Sequence, residues 1–148
     1  MTNLIVLEGI NDIGFPPARF AELKNTPAVK ENPFASEKAS AEEIITGLRQ
    51  FVARAHEHGI RVFGVTLTPF EGAISYDAEG EAIRQTVNGW IRTTDVYDGI
   101  FDMDALVRDP DHPTRLKKTF DSGDHIHPGP AGYKAMADSI PLSMLKGT

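Results

Sequence analysis

The sequence contains no cysteine among its 148 residues. That absence excludes disulfide bonds, a thiol nucleophile and thiolate ligands for a metal ion. Long apolar runs are also absent, since the longest extend over only a few residues and a membrane-spanning helix needs about 20. Basic residues are few, with 15 lysines and arginines against 21 aspartates and glutamates. Because the sequence has no basic stripe, we expect neither a nucleic acid nor an anionic membrane as a partner.

The remaining composition is that of a folded protein. Hydrophobic residues make up 41% and charged residues 24% of the sequence, which is close to the average of soluble globular proteins. The length corresponds to one domain, which we expect to comprise residues 1–148. The first eight residues lack the basic start and long apolar core of a signal peptide, and the sequence predicts no particular compartment.

Short apolar runs alternate with segments of helical periodicity. The predicted strands comprise residues 4–8, 60–67 and 96–102. The predicted helices begin near Ser40, Asp77 and Ala131, and the last of them is turned at Pro141. Ser40 and Glu43 fit a capping box, and Gly59 is the residue type expected just after a helix end. This alternation predicts an α/β domain with right-handed crossovers and a parallel sheet.

Two proline-containing loops interrupt the alternation, at residues 25–38 and 109–130. The second is about 20 residues long. A loop of that length within a compact domain more often has a function than serves only as a connection.

The first group of residues suited to chemistry follows the first predicted strand, at residues 8–12. Ligands bind open α/β sheets at the carboxyl ends of their strands. Gly9 allows a close approach of the backbone, and the side-chain amide of Asn11 can donate to a developing oxyanion. The same residue types are also typical of a plain turn.

The second group precedes the last predicted helix, at residues 121–128. Asp124 and His127 are three residues apart, so the carboxylate can accept from one imidazole nitrogen while the other nitrogen faces a cleft. That is the base-and-orienter half of a nucleophilic triad. The alternative is that His125 and His127 are exposed loop histidines and that Asp124 caps the loop locally.

Taken together, the Gly9–Asp12 and Asp124–Pro128 segments resemble the SGNH (GDSL-type) hydrolases. The resemblance extends from Val6 to Leu142, and residues 66–72 look like a loop that lines the cleft in a bacterial subgroup of that family. It implies a flavodoxin-like three-layer α/β/α sandwich with a parallel sheet. It also implies hydrolysis of a small ester through an acyl-serine intermediate.

Carried over by motif, the family's roles fall on three residues of this sequence. Asn11 would donate to the oxyanion, with Gly9 allowing close backbone approach beside it. His127 would be the base, and Asp124 would orient it. The resemblance implies no cofactor.

The nucleophile of the family has no counterpart in the sequence, which contains no Gly-Asp-Ser. The family places that block, and a second oxyanion block, before the block that begins here at Gly9. We therefore expect an N-terminally incomplete domain that lacks strands one and two of the family sheet. Among the six serines, Ser75 and Ser122 are the candidates for a substitute nucleophile. The others are Ser36 and Ser40, which precede a helix, and Ser139 and Ser143, which lie on the last helix.

The expected loss of a neighbouring strand has a consequence for assembly. Residues Leu4–Leu7 would then form an apolar edge with unpaired backbone groups. We expect the chain to form a homo-oligomer through that edge, or to pair there with a separate fragment.

Two other functions are compatible with the sequence. Without its nucleophile, the fold can be a non-catalytic remnant or a partner subunit. His125 and His127 can share a zinc ion in a metal-dependent hydrolase, as can His56 and His58. Both pairs lack a convergent third ligand, so the main expectation includes no metal.

Overall fold

The computed structural model describes residues 2–13 and 38–146. In chain order these residues form β1 (Asn3–Val6), a 3-10 turn (Asn11–Ile13), α1 (Ala41–Glu57), β2 (Arg61–Val65), α2 (Ala78–Thr93), β3 (Gly99–Phe101), α3 (Met103–Val107), α4 (Pro130–Ser139) and α5 (Leu142–Leu145). The predicted loop at residues 25–38, apart from Lys38, and the serine at position 36 lie outside the described residues.

The three strands form one parallel sheet in the order β1-β2-β3. Leu4 is opposite Val62, and Phe63 is opposite Gly99. This confirms the predicted α/β class and parallel pairing. Each strand is shorter than the apolar run that predicted it. The runs of β1 and β2 continue into the loops at the carboxyl ends of the strands, whereas β3 begins only at Gly99, three residues after the start of its run. The expectation that two strands of the family sheet are absent stays a prediction.

Identifiable capping residues lie at the predicted helix ends. Ser40 accepts a hydrogen bond from the Glu43 amide, and the Glu43 side chain accepts from the Ser40 amide, which is the predicted capping box. Gly59 follows α1 with a φ of +67°, a conformation that glycine adopts without a steric penalty. Pro141 separates α4 from α5. The short α3 had not been predicted, since five residues are too few to show a helical period.

Helices cover both faces of the sheet. Val62 of β2 belongs to the cluster that includes Val87 of α2, whereas the next residue, Phe63, belongs to a second cluster with Met136 of α4 and Met144 of α5. Successive strand residues point to opposite faces, so the two clusters are the two sides of a three-layer sandwich. The fold is the predicted flavodoxin-like one. In the described residues no helix has the length and apolarity needed to cross a membrane.

The sheet has two outer strands, because only β2 is paired on both sides within the described residues. Ile5 and Leu7, in and just after β1, are each 40% exposed. An outer strand with exposed apolar side chains offers unpaired backbone groups to another chain.

The chain leaving β2 is held by buried polar side chains of α2. The amide of Leu67 donates to Asn88 Oδ1 at 2.7 Å, and the Leu67 carbonyl accepts from Asn88 Nδ2 and from Arg84 Nη1, each at 2.8 Å. Asn88 and Arg84 are both fully buried. The amide and the carbonyl of Leu67 thereby have hydrogen-bond partners inside the core, although neither is paired with a strand.

Arg84 is in turn neutralised by two carboxylates. Its Nε and Nη2 donate to the two oxygens of Glu81, and its Nη1 lies 2.7 Å from Asp104 Oδ1. Asp104 also accepts from Arg92 at 2.6 Å. A buried charge is tolerated only when it is paired in this way, and removal of one partner is costly. The network fixes α2 against the start of α3.

We predict that Asn88→Ala lowers the free energy of unfolding by about 1–3 kcal/mol, because it leaves the buried Leu67 amide without an acceptor. Urea denaturation followed by circular dichroism measures this change. Thr86→Ala, at an exposed position of the same helix, is the matched control and should stay within about 0.5 kcal/mol of the wild type. Equal effects of the two substitutions would contradict the role assigned to Asn88.

Candidate active site

A cleft of about 270 Å³ opens at the carboxyl end of the sheet. Its lining residues come from the loops after β1 and β2 and from the loop before α4: Ile10, Asn11, Ala73, Ile74, Ser75, Asp124, Ile126 and His127. The structure therefore brings together four of the residues singled out from the sequence, namely Asn11, Ser75, Asp124 and His127. Gly9 and Ser122 are not among the lining residues.

Asp124 and His127 form a hydrogen-bonded pair at this cleft. His127 Nδ1 lies 2.6 Å from Asp124 Oδ2. An ionised carboxylate only accepts hydrogen bonds, so Nδ1 carries the proton of the neutral ring and Nε2 keeps its lone pair. The His127 side chain is 67% exposed, which leaves Nε2 accessible to a reactant. The arrangement can therefore take up a proton at Nε2 and stabilise the resulting cation.

The Asp124 carboxylate is also held by its own loop. Its Oδ1 accepts from the amides of Ile126 and His127 at 3.1 and 2.9 Å and from the Ser122 hydroxyl at 2.9 Å. The bond from the His127 ring, followed by those from the two amides, lowers the pKa of Asp124 well below its ordinary value of 3.8. The carboxylate is thus ionised wherever the imidazole can act as a base. It orients the ring and does not exchange protons with it.

Asn11 reaches the cleft from the 3-10 turn after β1. The turn is anchored by Ile13, which is 1% exposed and packs where Gly80 of α2 has no side chain. A Cβ on Gly80 would lie 2.7 Å from Ile13 Cγ2. Gly9, with a φ of +124°, makes the bend that precedes the turn, and it faces Ile44 of α1 instead of the cleft.

The two candidate nucleophiles lie in different environments. Ser75 lines the cleft together with His127. The hydroxyl of Ser122 donates to Asp124 Oδ1, so it contacts the carboxylate end of the pair and not the imidazole end. A nucleophile activated by His127 must approach Nε2.

The segment after β2 supplies the apolar wall of the cleft. Thr66, Leu67 and Phe70 are buried beneath it, and the chain then turns at Gly72, where φ is +104°. Ala73, Ile74 and Ser75 follow this turn and face the cleft. The family resemblance predicts a cleft loop slightly earlier, at residues 66–72. The wall residues beyond it carry no sequence signal of their own, since small and apolar residues are common in turns and cores alike.

Three of the four histidines proposed as metal ligands, His56, His125 and His127, have separate carboxylate partners. His125 Nδ1 lies 2.5 Å from Asp121 Oδ2, and His56 Nε2 lies 2.9 Å from Asp98 Oδ2. Within residues 2–13 and 38–146, no three histidine, aspartate or glutamate side chains are grouped so that they could hold a metal ion. The spacing of Asp121 and His125 could have identified their pairing, because it is similar to that of Asp124 and His127.

Comparison with known proteins yields one family. The model of the GDSL-like Lipase/Acylhydrolase family matches residues 2–135, which is most of the chain. The match contains both loops that carry Asn11, Asp124 and His127. A search of curated proteins finds no match.

We predict that His127→Ala raises the pKa of the Asp124 carboxyl toward its ordinary value, because the ring is the largest cause of its lowering. Carboxyl ¹³C NMR against pH measures this shift. Because the pKa is lowered in the folded protein, ionised Asp124 stabilises the fold above pH 3.8, and this contribution is lost as the pH falls through the lower folded value. In His127→Ala this contribution should therefore be smaller, and its loss should be complete at a higher pH than in the wild type. An unchanged Asp124 titration in the variant would contradict the pairing.

Proposed function

We propose that this chain, which belongs to the GDSL-like lipase/acylhydrolase family and so to a family of hydrolases, cleaves the ester bond of a small substrate. Asp124 and His127 serve as orienter and base, and Asn11 serves as oxyanion donor. The observation that carries the proposal is the convergence of these three side chains on one cleft, although Asn11 is more than 100 residues away from the other two in sequence.

The chemistry follows from the geometry of the cleft. His127 Nε2 removes the proton of a hydroxyl nucleophile as its oxygen attacks the ester carbonyl. The amide of Asn11 donates to the oxyanion of the tetrahedral intermediate, and the imidazolium returns its proton to the leaving alcohol oxygen. Water then hydrolyses the acyl-enzyme by the same path. No step needs a cofactor.

Ser75 is the nucleophile that we propose within this chain. It shares the cleft with His127, whereas the hydroxyl of Ser122 is engaged with the carboxylate of Asp124. Ser122 acts instead to support Asp124. It remains the second candidate, because rotation of its side chain would release the hydroxyl.

The outer strand β1 supports a further proposal about assembly. Its outer side has no strand partner within residues 2–13 and 38–146, and Ile5 and Leu7 are partly exposed. This side pairs with a second copy of the chain, so that the protein is a homo-oligomer through residues Leu4–Leu7. A strand added in parallel beside β1 would end close to Asn11, because the carboxyl ends of parallel strands share one edge of a sheet.

One observation favours a different function. The sequence has no Gly-Asp-Ser, the block in which the family carries its nucleophile. The second candidate is therefore a non-catalytic partner subunit that keeps the base pair and the cleft but performs no acyl transfer. The metal-dependent alternative has no supporting observation in the arrangement of His125 and His127.

Incubation with a fluorophosphonate probe, followed by intact-mass measurement and peptide mapping, tests the proposal. Stoichiometric labelling of Ser75 that requires His127 is the expected result. Labelling of Ser122 would assign the nucleophile to that residue and leave the proposed mechanism unchanged. Absence of labelling at high probe excess would leave the non-catalytic partner subunit.

We predict that His127→Ala lowers kcat for a small ester by about 10²–10⁴-fold and that Asn11→Ala lowers it by about 10²–10³-fold. Initial rates on short p-nitrophenyl esters measure both effects. His58→Ala, at an exposed position outside the cleft, is the control and should leave kcat unchanged. Hydrolysis that survives His127→Ala at full rate would refute the assignment of the base.

We also predict that the purified chain forms a dimer or larger species at micromolar concentration and that Ile5→Lys converts it to a monomer. A lysine on an outer strand opposes edge-to-edge pairing. Size-exclusion chromatography with light scattering gives the mass of each species. Thr86→Lys adds the same charge at an exposed site of α2 and should not change the mass. A monomeric wild type would contradict the proposal.

A further inference from the structure

A second aspartate–histidine pair lies beside the cleft. Asp121 Oδ2 lies 2.5 Å from His125 Nδ1, and Asp121 Oδ1 accepts from the amides of Gly123 and His125 at 2.8 and 3.1 Å. The Asp121 side chain is only 13% exposed. His125 has a φ of +66°, a left-handed conformation that is uncommon for residues other than glycine. The ring is thus held in one orientation by a largely buried carboxylate.

The His125 ring lies directly against the backbone of Gly72. A Cβ on Gly72 would be 2.9 Å from His125 Cγ and 3.0 Å from Cδ2. Position 72 requires glycine for two reasons: its φ is +104°, and the imidazole of His125 approaches the backbone too closely for a Cβ. The contact joins the loop before α4 to the turn after β2. The next three residues, Ala73, Ile74 and Ser75, line the same cleft as His127.

The same turn is attached to the long loop at a second point. The Glu71 amide donates to the Thr114 carbonyl at 2.9 Å, and the Glu71 carboxylate accepts from the Thr114 hydroxyl and from Arg115. The backbone before Gly72 is therefore fixed by Thr114 and Arg115. The backbone after it is held by the Ala73 amide, which donates to the Phe70 carbonyl, and by the contact of Gly72 with His125.

We infer that His125, oriented by Asp121, is a positioning residue that fixes residues 72–75 and thereby sets the width of the cleft facing His127. The imidazole of His125 is not among the groups that line the cleft, so it acts through the position of Gly72. The consequence for substrate binding rests on the proposed function. The positioning itself does not.

Hydrogen exchange of three amides tests the inference without any need for activity. The Ala73 amide donates to Phe70, the Tyr76 amide donates to Ala73, and the Glu71 amide donates to Thr114, so their exchange reports opening of the turn. His125→Asn removes the ring but keeps a residue that tolerates positive φ. We expect exchange at the Ala73 and Tyr76 amides to accelerate about tenfold in this variant relative to the wild type. The Glu71 amide, which Thr114 holds independently, should exchange as in the wild type.

The matched control is His56→Asn. His56 also pairs with an aspartate, Asp98 at 2.9 Å, but it lies at the end of α1 and away from the cleft. The control should leave the three amides unchanged. Gly72→Ala, which displaces the ring from the other side, should reproduce the effect of His125→Asn.

The inference would be overturned if the Ala73 and Tyr76 amides exchanged at the same rate in His125→Asn as in the wild type. It would also be overturned if exchange rose equally at the His58 amide, which lies at the end of α1, because the effect would then not be confined to the turn. Where ester hydrolysis is measured, His125→Asn should raise KM more than it lowers kcat, because it changes the shape of the binding site and not the base. An inactive wild type, or hydrolysis that does not depend on His127, would contradict the proposed function. The exchange experiment would still test the positioning role of His125, because it does not require activity.

Discussion

The arrangement of the site depends on the backbone amide and carbonyl of one buried residue, Leu67. The chain leaves β2 there and would otherwise carry an unsatisfied amide and carbonyl into the core. Asn88 and Arg84 of α2 satisfy both groups, and Glu81 and Asp104 neutralise the arginine. This buried network fixes the direction in which the chain continues toward Gly72. A hydrophobic helix face could cover the sheet equally well, but it could not fix a loop backbone in this way.

The cleft is built by two loops that hold each other in place. The loop before α4 carries His127, and the turn after β2 carries the wall opposite it. Glu71 with Arg115, and Gly72 with His125, join the two across more than 40 residues of sequence. Asn11 belongs to a third segment, and its turn is packed on α2 through Ile13. Helix α2 therefore supports two of the three parts of the site.

The sequence was sufficient to predict the sheet, the main helices and the Asp124–His127 pair, because each follows from local patterns: apolar runs, the Ser40 capping box and a three-residue spacing. It was insufficient for α3, whose five residues show no period, and for the wall at residues 73–75. It also could not separate Ser75 from Ser122, since only the three-dimensional contact of Ser122 with Asp124 distinguishes their environments. Interactions between distant segments, such as His125 with Gly72, have no signature in a single sequence.

The Asp124–His127 pair is formed almost entirely within one short loop. Asp124 accepts its hydrogen bonds from residues 122, 126 and 127, so closing the pair requires almost no chain entropy. The placement of Asn11 at the same cleft, in contrast, requires the sheet to be assembled first. The base half of the site can therefore form before the sheet that brings Asn11 to it. Contacts of such low sequence separation form faster than the long-range pairing of a parallel sheet, so the orientation of the imidazole is set by its own loop and not by the completed fold.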